Sequence, residues 1–201
     1  MQEGAARQRL FLALPCPLTP PIAQALDELR VAQDDPAAGL RAVAAGTLHI
    51  TLSFLGSIPP ESIADIRAAM AELRKLPAPQ LVIRGAGYFA SALWLAVEGA
   101  GEDVTGTEGI SGGESAGLAT LAQRCEAALR AHDFELEHRP YLPHVTVARL
   151  RHGGTFDCQA WCDKHRTTAW AAFTADALHL YRSETLDGAA RYSIVHSIPL
   201  G

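Results

Sequence analysis

Leu48-His49-Ile50-Thr51-Leu52 and Pro143-His144-Val145-Thr146-Val147 are two short apolar runs, each with a histidine and a threonine two residues apart. On a β-strand successive side chains point to opposite faces, so His49 and Thr51 share one face while Ile50 and Leu52 take the other. His144 and Thr146 stand in the same relation to Val145 and Val147. Each pair sets an imidazole and a hydroxyl side by side, with Cα atoms about 6.5–7 Å apart. Two such pairs facing each other make a site that moves protons and holds a phosphate.

A single H-x-T triplet carries little weight. With eight His and twelve Thr in 201 residues, chance alone supplies about 0.5 of them. A third, His165-Arg166-Thr167, has a charged middle residue and trails a helical-looking stretch, so it reads as an accident.

Outward from the two motifs, the chain alternates strands and helices. Arg9–Leu14, Thr47–Leu55, Leu81–Phe89, Leu93–Val97, His144–Leu150, Ala177–Arg182 and Arg191–Ile198 read as strands. Ile22–Val31, Ser62–Leu73, Leu118–Leu129 and Phe156–His165 carry apolar residues at helical spacing. Met1–Gln8 is expected to be a frayed, flexible tail. Residues 99–117, rich in Gly, Ser, Thr and Glu, are expected to form a mobile insertion. Each half of the chain holds one H-x-T strand, and the two histidines are 95 residues apart. The spacing predicts a single α+β unit over 9–200, made of two lobes with antiparallel-rich sheets around a central cleft.

An apolar content of 48% with 19% charged residues fits a soluble globular chain. The net charge of −5 argues against sequence-blind binding to long nucleic acid, which needs many Lys and Arg. It leaves open the recognition of one phosphate at an RNA end. The four Cys are too sparse for a disulfide-stapled secreted domain. Cys158, Cys162 and His165 share a helical face, but no second ligand cluster accompanies them, and buried thiols are the simpler reading. Arg7 and Arg9 before Leu10–Leu14 resemble the start of a signal peptide, but four prolines interrupt the run, so the expected location is the cytoplasm. No stretch approaches the roughly 20 apolar residues of a membrane span.

The longer stretches Leu48–Gly56 and Pro140–Arg149 resemble the paired HxTx motifs of the two-histidine (2H) phosphoesterases. The branch they are most similar to is the bacterial RNA 2′,3′-cyclic phosphodiesterases, also called LigT-like 2′-5′ RNA ligases. The opening Arg9–Pro15, the late Leu180–Glu184 and the ending Arg191–Val195 resemble that branch too. Two features depart from it: many relatives carry an aromatic where this chain reads Arg41-Ala42-Val43, and residues 99–116 are longer than usual. The resemblance implies a bilobal, pseudo-twofold LigT-like fold with outer helices and one motif per lobe. It also implies that His49 is the proton donor and His144 the proton acceptor.

The chemistry of the residues agrees. Hydrolysis of a cyclic phosphodiester needs a base for water, an acid for the leaving ribose oxygen, and donors for the non-bridging oxygens. Histidine suits both proton roles near neutral pH, and the Thr51 and Thr146 hydroxyls donate without adding charge. The motif symmetry alone does not say which imidazole is which. No metal or other cofactor is called for, and no P-loop is present for an ATP-driven ligase. Strict alternation turns Arg149 away from His144, whereas its place at the strand end lets it twist back. Arg41, Tyr181 and Arg182 are further candidates for binding substrate, with solvated or core positions as the alternative. The expected ligand is an RNA end or nucleotide bearing a 2′,3′-cyclic phosphate, bound by a monomer without a membrane. A different cyclic nucleotide, a 2′,5′-linked oligonucleotide, or a non-catalytic nucleotide-binding module are the competing readings.

Overall fold

Alternating burial makes strands of the segments around both motifs, and a computed structural model shows how they pair; it describes residues 6–99, 117–136, 140–186 and 189–201. In chain order the elements are β1 (Gln8–Pro15), α1 (Pro20–Gln33), β2 (Leu40–Ala42), β3 (His49–Ile58), α2 (Ile63–Ala71), β4 (Gln80–Phe89), β5 (Ala92–Gly99), α3 (Leu118–Ala131), β6 (His144–Leu150), α4 (Cys158–Lys164), β7 (Ala169–Thr174), β8 (Ala177–Leu186) and β9 (Ala189–Pro199). The strand expected to begin at Arg9 begins at Gln8, which pairs with Ile58, and Arg7 Nε donates to the Ser57 carbonyl at 3.0 Å. The rest of the expected tail, residues 1–5, and the insertion expected within 99–117 lie outside the described residues but for Gly99 and Gly117.

All nine strands join in one antiparallel sheet of order β7-β4-β5-β6-β3-β1-β8-β9, with β2 added beside β6. The two expected lobes are its two halves, β7-β4-β5-β6 with β2 and β3-β1-β8-β9. They are not the N-terminal and C-terminal halves of the chain. One half takes its strands from both ends, and the other, β2 apart, takes the middle. The halves meet at β3 and β6 through one bridging pair, Ile50 with Val145.

One face of the sheet is the core. Leu10, Leu12, Leu14, Ile50, Val145, Leu178 and Leu180 are fully buried there, with Ile22, Leu26 and Leu29 of α1, Ile66 and Met70 of α2, and Leu121, Cys125 and Leu129 of α3. Helices α2 and α3 pack on the half containing β3 and β9, and α1 and α4 on the half containing β2, β4 and β7. Two strands escape the sequence pattern. β2 is three residues long, and β7 reads Ala-Trp-Ala-Ala-Phe-Thr, whose small side chains give no clear alternation.

The edge strand β2 is held by close backbone packing. The chain after β6 runs back along residues 37–39: Arg151 N–H donates to the Gly39 carbonyl at 2.7 Å, Thr155 N–H to Ala37 at 2.9 Å and Phe156 N–H to Ala38 at 3.2 Å. Gly39 takes a left-handed φ of 63°, and a Cβ at Gly154 would lie 2.4 Å from the Ala38 carbonyl oxygen. That oxygen is backbone held by a hydrogen bond, so it cannot yield cheaply. Gly154→Ala is expected to lower unfolding stability by about 1–3 kcal/mol, the usual cost of overpacking; an unchanged denaturant midpoint would contradict this packing.

Candidate active site

Residues 50 and 145 face each other across the junction, so an antiparallel register sets His49 opposite Thr146 and Thr51 opposite His144. Ile50 and Val145 are both buried on the core face. The four motif side chains therefore share the other face, which none of the described helices covers. The two strands repeat one burial pattern from their histidines onward: half-buried, buried, half-buried, buried, buried, exposed.

The repeat of two buried residues marks a β-bulge in each strand. Ala13 pairs with Thr51 and Leu12 with Ser53, leaving Leu52 as an extra residue. Trp94 pairs with Thr146 and Leu93 with Ala148, leaving Val147 as the extra residue at the same step. An extra residue shifts the alternation by one and re-aims every later side chain of the strand. Arg149 thus returns to the face of His144 and Thr146, opposite Ala92, and Phe54 returns to the face of His49 and Thr51, opposite Phe11. The two motifs are H-x-T-x-x-Phe and H-x-T-x-x-Arg, which strict alternation alone cannot place.

The hydrogen bonding is also repeated. His49 Nδ1 lies 2.6 Å from the Thr47 carbonyl oxygen and His144 Nδ1 lies 2.8 Å from the Leu142 carbonyl oxygen. A carbonyl only accepts, so each Nδ1 carries the proton and each neutral ring presents Nε2 as its basic atom.

The surroundings of the two rings differ. His49 sits among Phe11 (ring centroids 4.9 Å apart), Tyr192 (5.0 Å, edge-on) and Tyr181 (6.0 Å). His144 meets Phe89 edge-on at 5.4 Å and Trp94 at 6.0 Å. Burial lowers the His49 pKa below the ordinary imidazole value; the Thr47 carbonyl opposes this, and the charges of Arg149 and His144 add to it. Trp94 lies across Gly87, where a Cβ would come within 2.3 Å of the indole.

Tyr181 pairs with Phe11 on the site face, and Arg41 stands directly opposite Arg149. Arg182 is the exception among the expected residues. Its register partner is Leu10, whose side chain is in the core, so Arg182 points to the face away from His49, where its Nε donates to Ser193 Oγ at 3.3 Å. His165 lies off the sheet at the C-terminal end of α4, between Trp161 and Trp170 at 4.5 and 4.9 Å. Among the described residues no group of three or more His, Cys, Asp or Glu is arranged to hold a metal ion. None of the described helices is long and apolar enough to cross a membrane.

Phe11, Phe54, Phe89, Trp94 and Tyr192 are site residues that the sequence pattern does not single out. They supply the aromatic surface that is missing beside Arg41. Phe54 is 63% exposed despite being a large apolar side chain, which suits a surface left open for a ligand.

An antiparallel curled sheet with two symmetric H-x-T strands at its centre defines a two-histidine phosphoesterase architecture. The chain belongs to the 2′-5′ RNA ligase superfamily, whose family model matches residues 18–187. Among curated proteins it is 29% identical over 159 residues to an RNA 2′,3′-cyclic phosphodiesterase of Geobacillus stearothermophilus, covering 76% of this chain and 45% of that one. It is 33% identical over 117 residues to a protein of the same description from Thermus thermophilus, covering 58% and 57%. The chain thus matches about half the length of these relatives. Among solved structures, E. coli LigT complexed with 3′-AMP has a TM-score of 0.67 at 24% identity, covering 96% of this chain and 98% of that one. A protein of Thermus thermophilus has a TM-score of 0.65 at 23% identity, covering 96% and 97%. These likenesses establish the fold.

Burial lowers the pKa of His49, His165, His179 and His196 alike. In the unfolded chain each takes up a proton near pH 6.5, while the folded chain resists until lower pH. Between those values the unfolded state binds more protons, so stability falls as pH drops below about 6.5. Calorimetry from about pH 7.5 to 5.5 is expected to show a falling Tm, and a flat or rising Tm would contradict neutral burial of these rings.

Proposed function

We propose that the chain hydrolyses RNA 2′,3′-cyclic phosphate ends, or nucleotides bearing them, to 2′-phosphomonoesters. The observation that carries this is the junction of β3 and β6, which sets His49, Thr51, His144 and Thr146 on one open face with both Nε2 atoms available. Support comes also from the curated relatives, described as RNA 2′,3′-cyclic phosphodiesterases.

In the proposed reaction neutral His144 takes a proton from water, and the oxygen of that water bonds to phosphorus. The bond from phosphorus to O3′ breaks, and O3′ takes the proton of protonated His49. Thr51, Thr146 and Arg149 hold the non-bridging oxygens, while the aromatic surface holds the base and sugar. A lowered pKa makes protonated His49 the stronger acid, and a bound phosphodiester anion beside it favours that protonated form. Run in the same direction with the 5′-hydroxyl of a second strand in place of water, the same groups form a 2′-5′ linkage: the 5′-oxygen bonds to phosphorus, the bond to O3′ breaks, and O3′ takes the proton of His49. Both motif strands come from one chain, so a monomer suffices. A reducing cytoplasm suits its four free cysteines.

His49→Ala and His144→Ala are each expected to lower turnover of a nucleoside 2′,3′-cyclic phosphate by about 10²–10⁴-fold. Thr51→Ala and Thr146→Ala should cost less, and His165→Ala almost nothing. Near-wild-type turnover in a folded His49 or His144 variant would sink the mechanism.

The pH profile separates the two roles. With His49 as donor, kcat/KM falls as pH rises through its lowered pKa, and His49→Ala removes that descending limb. Loss of the ascending limb instead would exchange the roles.

Acid, base and donors are all side chains in this scheme, so turnover is expected to survive EDTA. Loss restored by zinc or manganese would overturn it.

A further inference from the structure

A cavity of about 330 Å³ lies between β2, the end of β6 and the C-terminal end of α1, with Arg149 of the motif face in its wall. Its wall includes Arg41, Arg149 and Arg151, with Asp35, Gln33 and Pro36. Three arginines and one carboxylate thus line one cavity. Asp35 already uses a carboxylate oxygen to accept the Ala37 N–H at 2.9 Å. Arg41 stands directly opposite Arg149 across the β2–β6 pair. Two cross-strand guanidiniums so placed can both meet the oxygens of one anion.

The walls are firm. Arg151 Nη2 donates to the Pro36 carbonyl at 2.9 Å, which pins the guanidinium at the rim and leaves its other N–H groups for a ligand. The backbone bonds from Arg151, Thr155 and Phe156 to residues 37–39 fasten the loop behind it. Arg149 belongs to both places, since it lies on the motif face and its charge reaches His49. Arg149 and Arg151 are two residues apart, about 6.5–7 Å in extended chain, comparable with one nucleotide step of an extended single strand.

We propose that this cavity binds the 5′-phosphate of the nucleotide whose 2′,3′-cyclic phosphate lies between the two histidines. The inference rests on the proposed function and makes the substrate an RNA chain end rather than a free nucleoside cyclic phosphate. Arginine forks match phosphate oxygens in pairs, and a nucleoside 2′,3′-cyclic phosphate without a 5′-phosphate leaves the cavity unused.

The test compares adenosine 2′,5′-bisphosphate with adenosine 2′-phosphate by titration calorimetry on the full chain. Alongside, kcat/KM is measured on adenosine 2′,3′-cyclic phosphate, its 5′-phosphorylated form and the dinucleotide ApA with a cyclic end. The wild-type protein is expected to favour the 5′-phosphorylated ligand of each pair by about tenfold or more, the worth of one charge-assisted contact. The dinucleotide separates a chain phosphodiester from a terminal phosphate, and it is expected to share the preference. Arg151→Gln keeps an N–H for the Pro36 carbonyl but removes the charge. It is expected to abolish most of the preference, leave adenosine 2′-phosphate affinity unchanged, and shallow the salt dependence of bisphosphate binding by about 0.7 in log–log slope.

Equal binding of the two ligands by the wild-type protein overturns the proposal whatever the variant does, as does a preference that survives Arg151→Gln. A preference confined to the mononucleotide and absent from the dinucleotide overturns the RNA assignment. Turnover of cyclic phosphates with no 5′-phosphate preference removes the cavity and keeps the proposed function. A 5′-phosphate preference lost in Arg151→Gln, without turnover of any cyclic phosphate, removes the proposed function and keeps the cavity.

Discussion

The contact between Ile50 and Val145 is the constraint on which the rest of the site depends. Among the described residues it is the one register pair that joins the two half-sheets, and both side chains are buried in the core beneath it. Because strand side chains alternate, burying these two residues commits their neighbours to the opposite face. Both histidines and both threonines are thereby placed together by apolar packing rather than by any attraction among themselves. A slip of one residue at this junction would turn the histidine and threonine of one strand toward the core.

The bulges after Thr51 and Thr146 add a second device. Each inserts one residue, keeps two successive side chains buried, and returns the sixth position of the motif to the open face. The sheet is symmetric in this device and asymmetric in what it presents: an exposed Phe54 on one side and the Arg149 guanidinium on the other. The environments of the two imidazoles divide in the same way. His49 is enclosed by Phe11, Tyr181 and Tyr192 and disfavours its charged form, while His144 meets aromatic edges of the other half. Equal motifs in unequal surroundings suit the donor and acceptor roles of the proposed reaction.

Much of this is legible in the sequence because alternation over five residues is a local property. The strand character of both motifs and the shared face of each His and Thr come from it. The rest depends on distant pairing. Val147 is an extra residue only with respect to β5, so the return of Arg149 to the site face cannot be read from β6 alone. The position of Arg182 opposite Leu10 is likewise set by β1. The composition of the half-sheets, one drawn from both ends of the chain, is a matter of topology that periodicity does not encode. The aromatic surface is assembled from β1, β3, β4, β5, β8 and β9, so no single stretch of sequence shows it. The equal spacing of Phe54 and Arg149 from their histidines is the one local signal in the sequence for the matching places these two take on the open face.

A crystal structure of the protein with a uridine vanadate complex, which places a pentacoordinate centre where the cyclic phosphate would react, tests the central claim most directly. If the Nε2 atoms of both rings form a single phosphate site on one face, both His49 Nε2 and His144 Nε2 will lie within about 2.6–3.2 Å of vanadate oxygens. Vanadate held by only one of the two imidazoles, or bound away from the β3–β6 junction, would contradict the account.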